Sequence, residues 1–150
     1  MDHVGVIVDD LPAAIAFFTE LGLELDGEAR VEGPWVDRIV GLDGVQSDIA
    51  MMRTPDGRSR LELCKFQRPA ARAGDARAPA NALGIRHVTF MVEGIDDVLA
   101  RLRPHGAELV GELEQYEDIY RLCYVRGPAG IIIELAEEMG GRSADNRAKG

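Results

Sequence analysis

Cysteine is nearly absent from this chain: its 150 residues include only Cys64 and Cys123. Two thiols cannot make a disulfide framework, so the fold must stand on its apolar core. Both lie in apolar, strand-like stretches, "LELCKF" and "RLCYV". They are expected to be half-buried free thiols of a reducing cytoplasm, not redox or nucleophilic groups. Positive charge is also scarce. Lys plus Arg total 17 against 26 Asp plus Glu, a formal charge of −9. An acidic surface repels phosphate, which sets nucleic acid aside as a partner. No apolar run approaches the ~18 residues that a membrane span needs. The chain does not open with a basic segment followed by an apolar one, so no secretory signal is expected. The remaining composition, 46% hydrophobic and 29% charged, suits one cytoplasmic domain or two small modules sharing a core.

What the sequence does contain is a repeat. The opening "HVGVIVDDLPAAIAFF" returns as "HVTFMVEGIDDVLARL", with His3 aligned on His87, Val4 on Val88, Val8 on Val92 and Leu11 on Ile95. Each copy begins with strand alternation. His3, Gly5 and Ile7 share one face and Val4, Val6 and Val8 the other; His87, Thr89 and Met91 repeat the first set and Val88, Phe90 and Val92 the second. Helical spacing follows, with stripes of Leu11, Ile15, Phe18 and Leu21 and of Ile95, Val98, Leu99 and Leu102. Asp9 or Asp10 can cap the first helix, Pro12 suits its first turn and Gly22 its end. Asp96 and Asp97 sit in the first turn of the second, which stops near "RPHGAE". His105 fits a helix C-terminus better than a ligand position.

Strand-like runs complete both halves: about 23–31, 47–54 and 60–66 in the first, and about 107–112, 120–126 and 130–137 in the second. Each half therefore reads β-α-β-β-β, an α+β pattern. The expected organisation is a first module over 1–66, a linker over 67–84, a second module over 85–138 and a disordered tail over 139–150.

Each half also carries a glutamate in its last strand, Glu62 in "RLELCKF" and Glu134 in "IIIELAE". A carboxylate amid such apolar neighbours is costly to bury unless paired or bound to a cation. The two histidines point to the sheet face that the helix leaves free. Two such sheets facing each other would gather His3, Glu62, His87 and Glu134 into an N2O2 site for one divalent cation, with two positions left for substrate or water.

At these residues the chain resembles the vicinal oxygen chelate superfamily: glyoxalase I, methylmalonyl-CoA epimerase, extradiol dioxygenases and the bleomycin and fosfomycin resistance proteins. The resemblance covers about residues 1–138, from "DHVGVIVDDLPAAIAFF" to "GPAGIIIELAEE", which looks like the superfamily's "DPxG…IEL" ending. It implies two βαβββ modules forming a half-open, eight-stranded cup around the metal. The ligand order His3, Glu62, His87, Glu134 is similar to bacterial glyoxalase I and implies an isomerase or lyase. Such an enzyme acts on a small substrate with vicinal oxygens through a metal-stabilised enediolate. The alternatives are a small-molecule binding or resistance protein without chemistry, and an iron-dependent extradiol dioxygenase.

The glyoxalase pattern is incomplete. "GVIV" stands where an Arg usually follows the first His, and "LCKF" where an Asn follows the first Glu, so no glutathione anchor is visible. Arg58, Arg60, Lys65 and Arg121 are the basic residues that a coenzyme A thioester would call for. Glu134 is expected to move the substrate proton, with Glu62 as second candidate. Trp35, Tyr116, Tyr120 and Arg121 are expected to shape the substrate pocket. The resemblance implies one divalent metal, nickel, cobalt, manganese, zinc or iron, and a homodimer. Closure of the site within one chain or across the dimer is left open.

Overall fold

The computed structural model describes residues 1–140. The greater part of the tail expected from 139 onward lies outside the described residues. The chain forms β1 (Val4–Ile7), α1 (Leu11–Leu21), β2 (Glu24–Glu32), α2 (Pro34–Val40), β3 (Gln46–Arg53) and β4 (Arg60–Arg68). After residues 69–86 it continues with β5 (His87–Met91), α3 (Ile95–Leu102), β6 (Glu108–Leu109), β7 (Glu114–Tyr116), β8 (Tyr120–Arg126) and β9 (Ile132–Glu138). The first sheet has the order β1-β4-β3-β2 and the second β5-β9-β8-β6, with β7 also on β8. In each, the first strand lies parallel to the last and the remaining pairs are antiparallel. The α+β class holds, with two mixed sheets and no closed barrel.

Two elements differ from expectation. Residues 34–40, read as a pocket-shaping stretch, form α2: Pro34 presets the first turn and Gly41, at φ 71°, ends it. The strand expected over 107–112 is reduced to β6 at Glu108–Leu109, and a further short strand, β7, follows at Glu114–Tyr116; the two pair with different parts of β8.

Helix α1 begins at Asp10, whose Oδ1 accepts the Ala13 N–H at 2.9 Å, and ends at Gly22 in the left-handed region. Its buried face is wider than one stripe, comprising Leu11, Ala14, Phe17, Phe18 and Leu21. The cause is that α1 packs on its own sheet, on α3 and on the second module together. Phe18 stacks at 6.5 Å from Phe90 of β5, and Phe17 lies against Gly127. One core therefore joins both halves, from Val6 and Leu63 to Ile133 and Leu135.

The linker is held by the second module. The Arg126 guanidinium donates to the carbonyls of Ala78 (2.7 Å), Arg77 (3.1 Å) and Gly130 (3.2 Å). Gly130 has φ 80°, and a Cβ there would overlap the Ala76 carbonyl. Gly130→Ala combines left-handed strain with a backbone clash. It is expected to cost about 2–4 kcal/mol, read as a lower urea midpoint at unchanged slope.

Candidate metal centre

The pleat carries the helix-facing residues of β1 and β4 (Val6, Leu61, Leu63) into the core and leaves His3, Gly5 and Ile7 on the other face with Glu62 and Cys64. The second sheet repeats this. Val88, Phe90, Ile133 and Leu135 face inward, while His87, Thr89, Met91 and Glu134 lie on the open face. Register explains the pairing of each histidine with its glutamate. Glu62 lies opposite Gly5 and Glu134 opposite Thr89, each two residues beyond the histidine in the parallel partner strand.

The resulting geometry is the same in both halves. His3 Nε2 is 3.6 Å from Glu62 Oε2, and His87 Nε2 is 3.6 Å from Glu134 Oε2. The second nitrogen of each ring is also engaged. His3 Nδ1–H donates to Asp2 Oδ2 at 2.7 Å, and His87 Nδ1 lies 3.4 Å from the Tyr124 hydroxyl. The Asp2 carboxyl is held below its usual range, first by the hydrogen bond from His3 and then by that from Arg60. With the His3 proton on Nδ1, its Nε2 lone pair faces a carboxylate oxygen. Two acceptors at this distance call for a positive charge between them. Ligands bound at about 2.1 Å to one cation stand roughly 3.0–3.4 Å apart, so each pair, at 3.6 Å, is a few tenths of an ångström wider than a loaded site and closes on a divalent ion with a small side-chain shift.

The two pairs do not meet within one chain. Among the described residues, no three His, Cys, Asp or Glu side chains come together as a metal site. The free edges of β1 and β5 flank two clefts. A cleft of about 730 Å³ is lined by His3 and Val4 on one side and by Val88–Glu93 on the other. A smaller one of about 260 Å³ lies between Val4–Ile7 and residues 85–88. The edges thus run in opposite directions, and the start of each lies by the end of the other. The two histidines, each at the start of its strand, are separated by a displacement on the order of 10 Å. One chain therefore carries two separate His–Glu half-sites.

The other sequence candidates distribute unevenly. Tyr120 and Tyr116 pair across β8 and β7 on the face of Glu134, and Tyr116 is exposed. Trp35 projects from α2, half exposed. Arg121 is a correction. It points to the helix side of the second sheet, where it donates to Asp96 at 2.7 Å and to Glu137 at 3.5 Å, so it does not line the open face. Arg60 pairs with Asp2 and Arg58 with Asp56. His105 ends a 3-10 turn behind α3, 3.9 Å from Glu20. Both thiols are buried. Loss of solvation pushes Cys64 up to about 12, aided by Glu62, and Cys123 up to about 11, so neither is a nucleophile at neutral pH.

Sequence reasoning missed three partners of the half-sites: Asp2, Tyr124 and the Cys64 thiol, which donates to Glu62 Oε1 at 3.1 Å. Asp2 adjoins His3, and that adjacency was the available signal. No helix among the described residues is long and apolar enough to cross a membrane.

The family model for the glyoxalase/bleomycin resistance protein/dioxygenase superfamily matches residues 1–135. A crystal structure of a glyoxalase family protein from Bacillus cereus is 55% identical with a TM-score of 0.89, covering 93% of this chain and 94% of that one. The uncharacterized protein YaeR of Escherichia coli is 27% identical over 91% of this chain and 94% of its own. The trypanothione-dependent glyoxalase I of Leishmania major shares the fold at 23% identity and a TM-score of 0.63, over 92% of this chain and 86% of that one. The chain belongs to the glyoxalase/bleomycin resistance protein/dioxygenase superfamily.

Proposed function

We propose that this protein is a divalent-metal-dependent isomerase or lyase of the glyoxalase or epimerase type, whose metal site is completed between two copies of the chain. The observation that carries this is His3 Nε2 set 3.6 Å from a carboxylate oxygen of Glu62, with the same distance between His87 Nε2 and Glu134. The donor set suits a borderline divalent ion. His3 and Glu62 of one copy would join His87 and Glu134 of the other. This use of two copies follows from the separation of the pairs within one chain and from their position on open faces flanked by exposed Ile7 and Met91.

When bound, the cation would place positive charge beside two neighbouring substrate oxygens and acidify the adjacent C–H. The chain's own residues do the rest. Asp2 and Tyr124 orient the imidazoles through Nδ1. Glu134, on the open face with Tyr124 and Ala136, takes the proton from carbon and returns it to the neighbouring position. An epimerase needs a second base, and Glu62 is the candidate. Tyr116 and Tyr120 would line the substrate space beside Glu134.

The test is metal analysis of protein purified without chelators, alongside Glu62→Ala and His87→Ala. The expected result is about one divalent ion per chain, lost in both variants. Failure to take up nickel, cobalt or manganese would make the open faces a binding surface without chemistry. Iron with oxygen consumption would assign the dioxygenase branch.

A further inference from the structure

We propose that Thr89 makes Glu134 the carboxylate that can leave the cation, whereas Gly5, its counterpart in the first half, keeps Glu62 in place. This rests on the metal-binding reading above and concerns a residue to which that reading gives no role. The two half-sites match in backbone and in the His–Glu distance, but they differ in which carboxylate oxygen is hydrogen-bonded. In the second half the Thr89 hydroxyl donates at 2.5 Å to Glu134 Oε2, the oxygen that faces His87. In the first half the same register position is Gly5, which has no side chain to donate. Glu62 instead accepts from the Cys64 thiol, and on Oε1, while Oε2 is the oxygen that faces His3.

The consequences for the two carboxylates are opposite. A hydroxyl at 2.5 Å from an ionised carboxylate is a strong, charge-assisted donor, whereas a thiol is a weak one. Thr89 therefore competes with a cation for the oxygen of Glu134 that would bind it. It also waits as a partner when that oxygen is released. Among the described residues no other donor reaches the Glu62 oxygen that faces His3, and the thiol on the far oxygen orients the carboxylate. Thr89 is thus a positioning residue: it acts through Glu134 and sets which of two similar carboxylates is free to exchange.

The test is cobalt(II) binding, measured by competition with a fluorescent chelator and by the visible absorption of the bound ion, on four proteins. Thr89 is exposed in a β-strand, so the isosteric Thr89→Val preserves the fold, which circular dichroism checks. Removing the competing donor is expected to tighten cobalt binding roughly tenfold, the size set by a hydrogen bond to a charged group. The visible spectrum should show the higher coordination number that a permanently bound Glu134 gives. Thr89→Ser keeps the hydroxyl and is expected to restore wild-type affinity. Gly5→Thr is the converse: a Cβ at Gly5 meets nothing within 4 Å, and a hydroxyl there should weaken cobalt binding. If Thr89→Val binds cobalt with equal or lower affinity, Thr89 merely orients Glu134 and the proposal is overturned. If the wild-type protein binds no cobalt, the metal-binding reading itself fails, and the proposal with it.

Discussion

Two variants that each lack a metal site are expected to regain one when paired with each other. In His3→Ala/Glu62→Ala every composite site loses its first half, and in His87→Ala/Glu134→Ala every composite site loses its second. Neither homodimer should retain a cation through gel filtration, because the remaining two-residue pair holds it far more weakly than four ligands do. In a heterodimer isolated through two affinity tags, one of the two sites combines both damaged halves. The other combines both intact halves: His3 and Glu62 from one copy with His87 and Glu134 from the other. The expected content is about one cation per heterodimer, against about two per wild-type dimer. A heterodimer without metal, beside a loaded wild type, would mean that the four ligands close within each chain. The opposed directions of the β1 and β5 edges argue against that closure.

The second large effect concerns Glu134→Gln. The amide is the same size, its oxygen still accepts from Thr89, and its neighbours Ile133 and Leu135 are undisturbed, so the fold should persist. What the amide cannot do is take a proton at neutral pH. On any substrate that the wild-type protein isomerises or cleaves, kcat is expected to fall by about 10²–10⁴. Exchange of the substrate C–H with deuterated solvent should slow in parallel. Glu62→Gln should differ in kind, losing metal before it loses proton transfer, because its binding oxygen is uncommitted to any other donor. Turnover that survives Glu134→Gln and disappears in Glu62→Gln would exchange the roles of the two carboxylates.

Much of this was legible in the residues themselves, for identifiable reasons. Strand alternation placed His3 and His87 on the free faces because a period of two leaves only two choices, and the valines determine which one is buried. The stripe Ile95, Val98, Leu99, Leu102 is the buried face of α3. The corresponding stripe of α1 was too narrow, because Ala14 and Phe17 are buried as well, Phe17 against Gly127 of the second module, and the spacing within one helix does not reveal a second neighbour. Helix α2 was missed since its apolar residues Ile39 and Val40 are exposed and give no one-sided pattern. Arg121 was misplaced for a simpler reason: it shares the helix-facing side of β8 with Cys123 and Val125, and electrostatics drew more attention than parity. Thr89 was visible on the His87 face, but its role depends on a register partner 45 residues away. The separation of the half-sites depends on how two sheet edges lie beside each other. No local pattern encodes that.

The Arg126 clamp divides the linker unequally. Because residues 77 and 78 are fastened to the turn around Gly130, they belong mechanically to the second module. Residues 72–74 engage in no hydrogen bond among the described residues. Only this short tether, at most roughly 3.5 Å per residue when extended, joins the modules covalently without also being fastened to either. A cut at Arg72–Gly74 would leave each fragment a whole sheet, its helix and its own His–Glu pair. The aromatic contact between Phe18 and Phe90, with the apolar surface around it, would remain as the attachment between them. Covalent continuity is thus separable here from the packing that holds the two halves together.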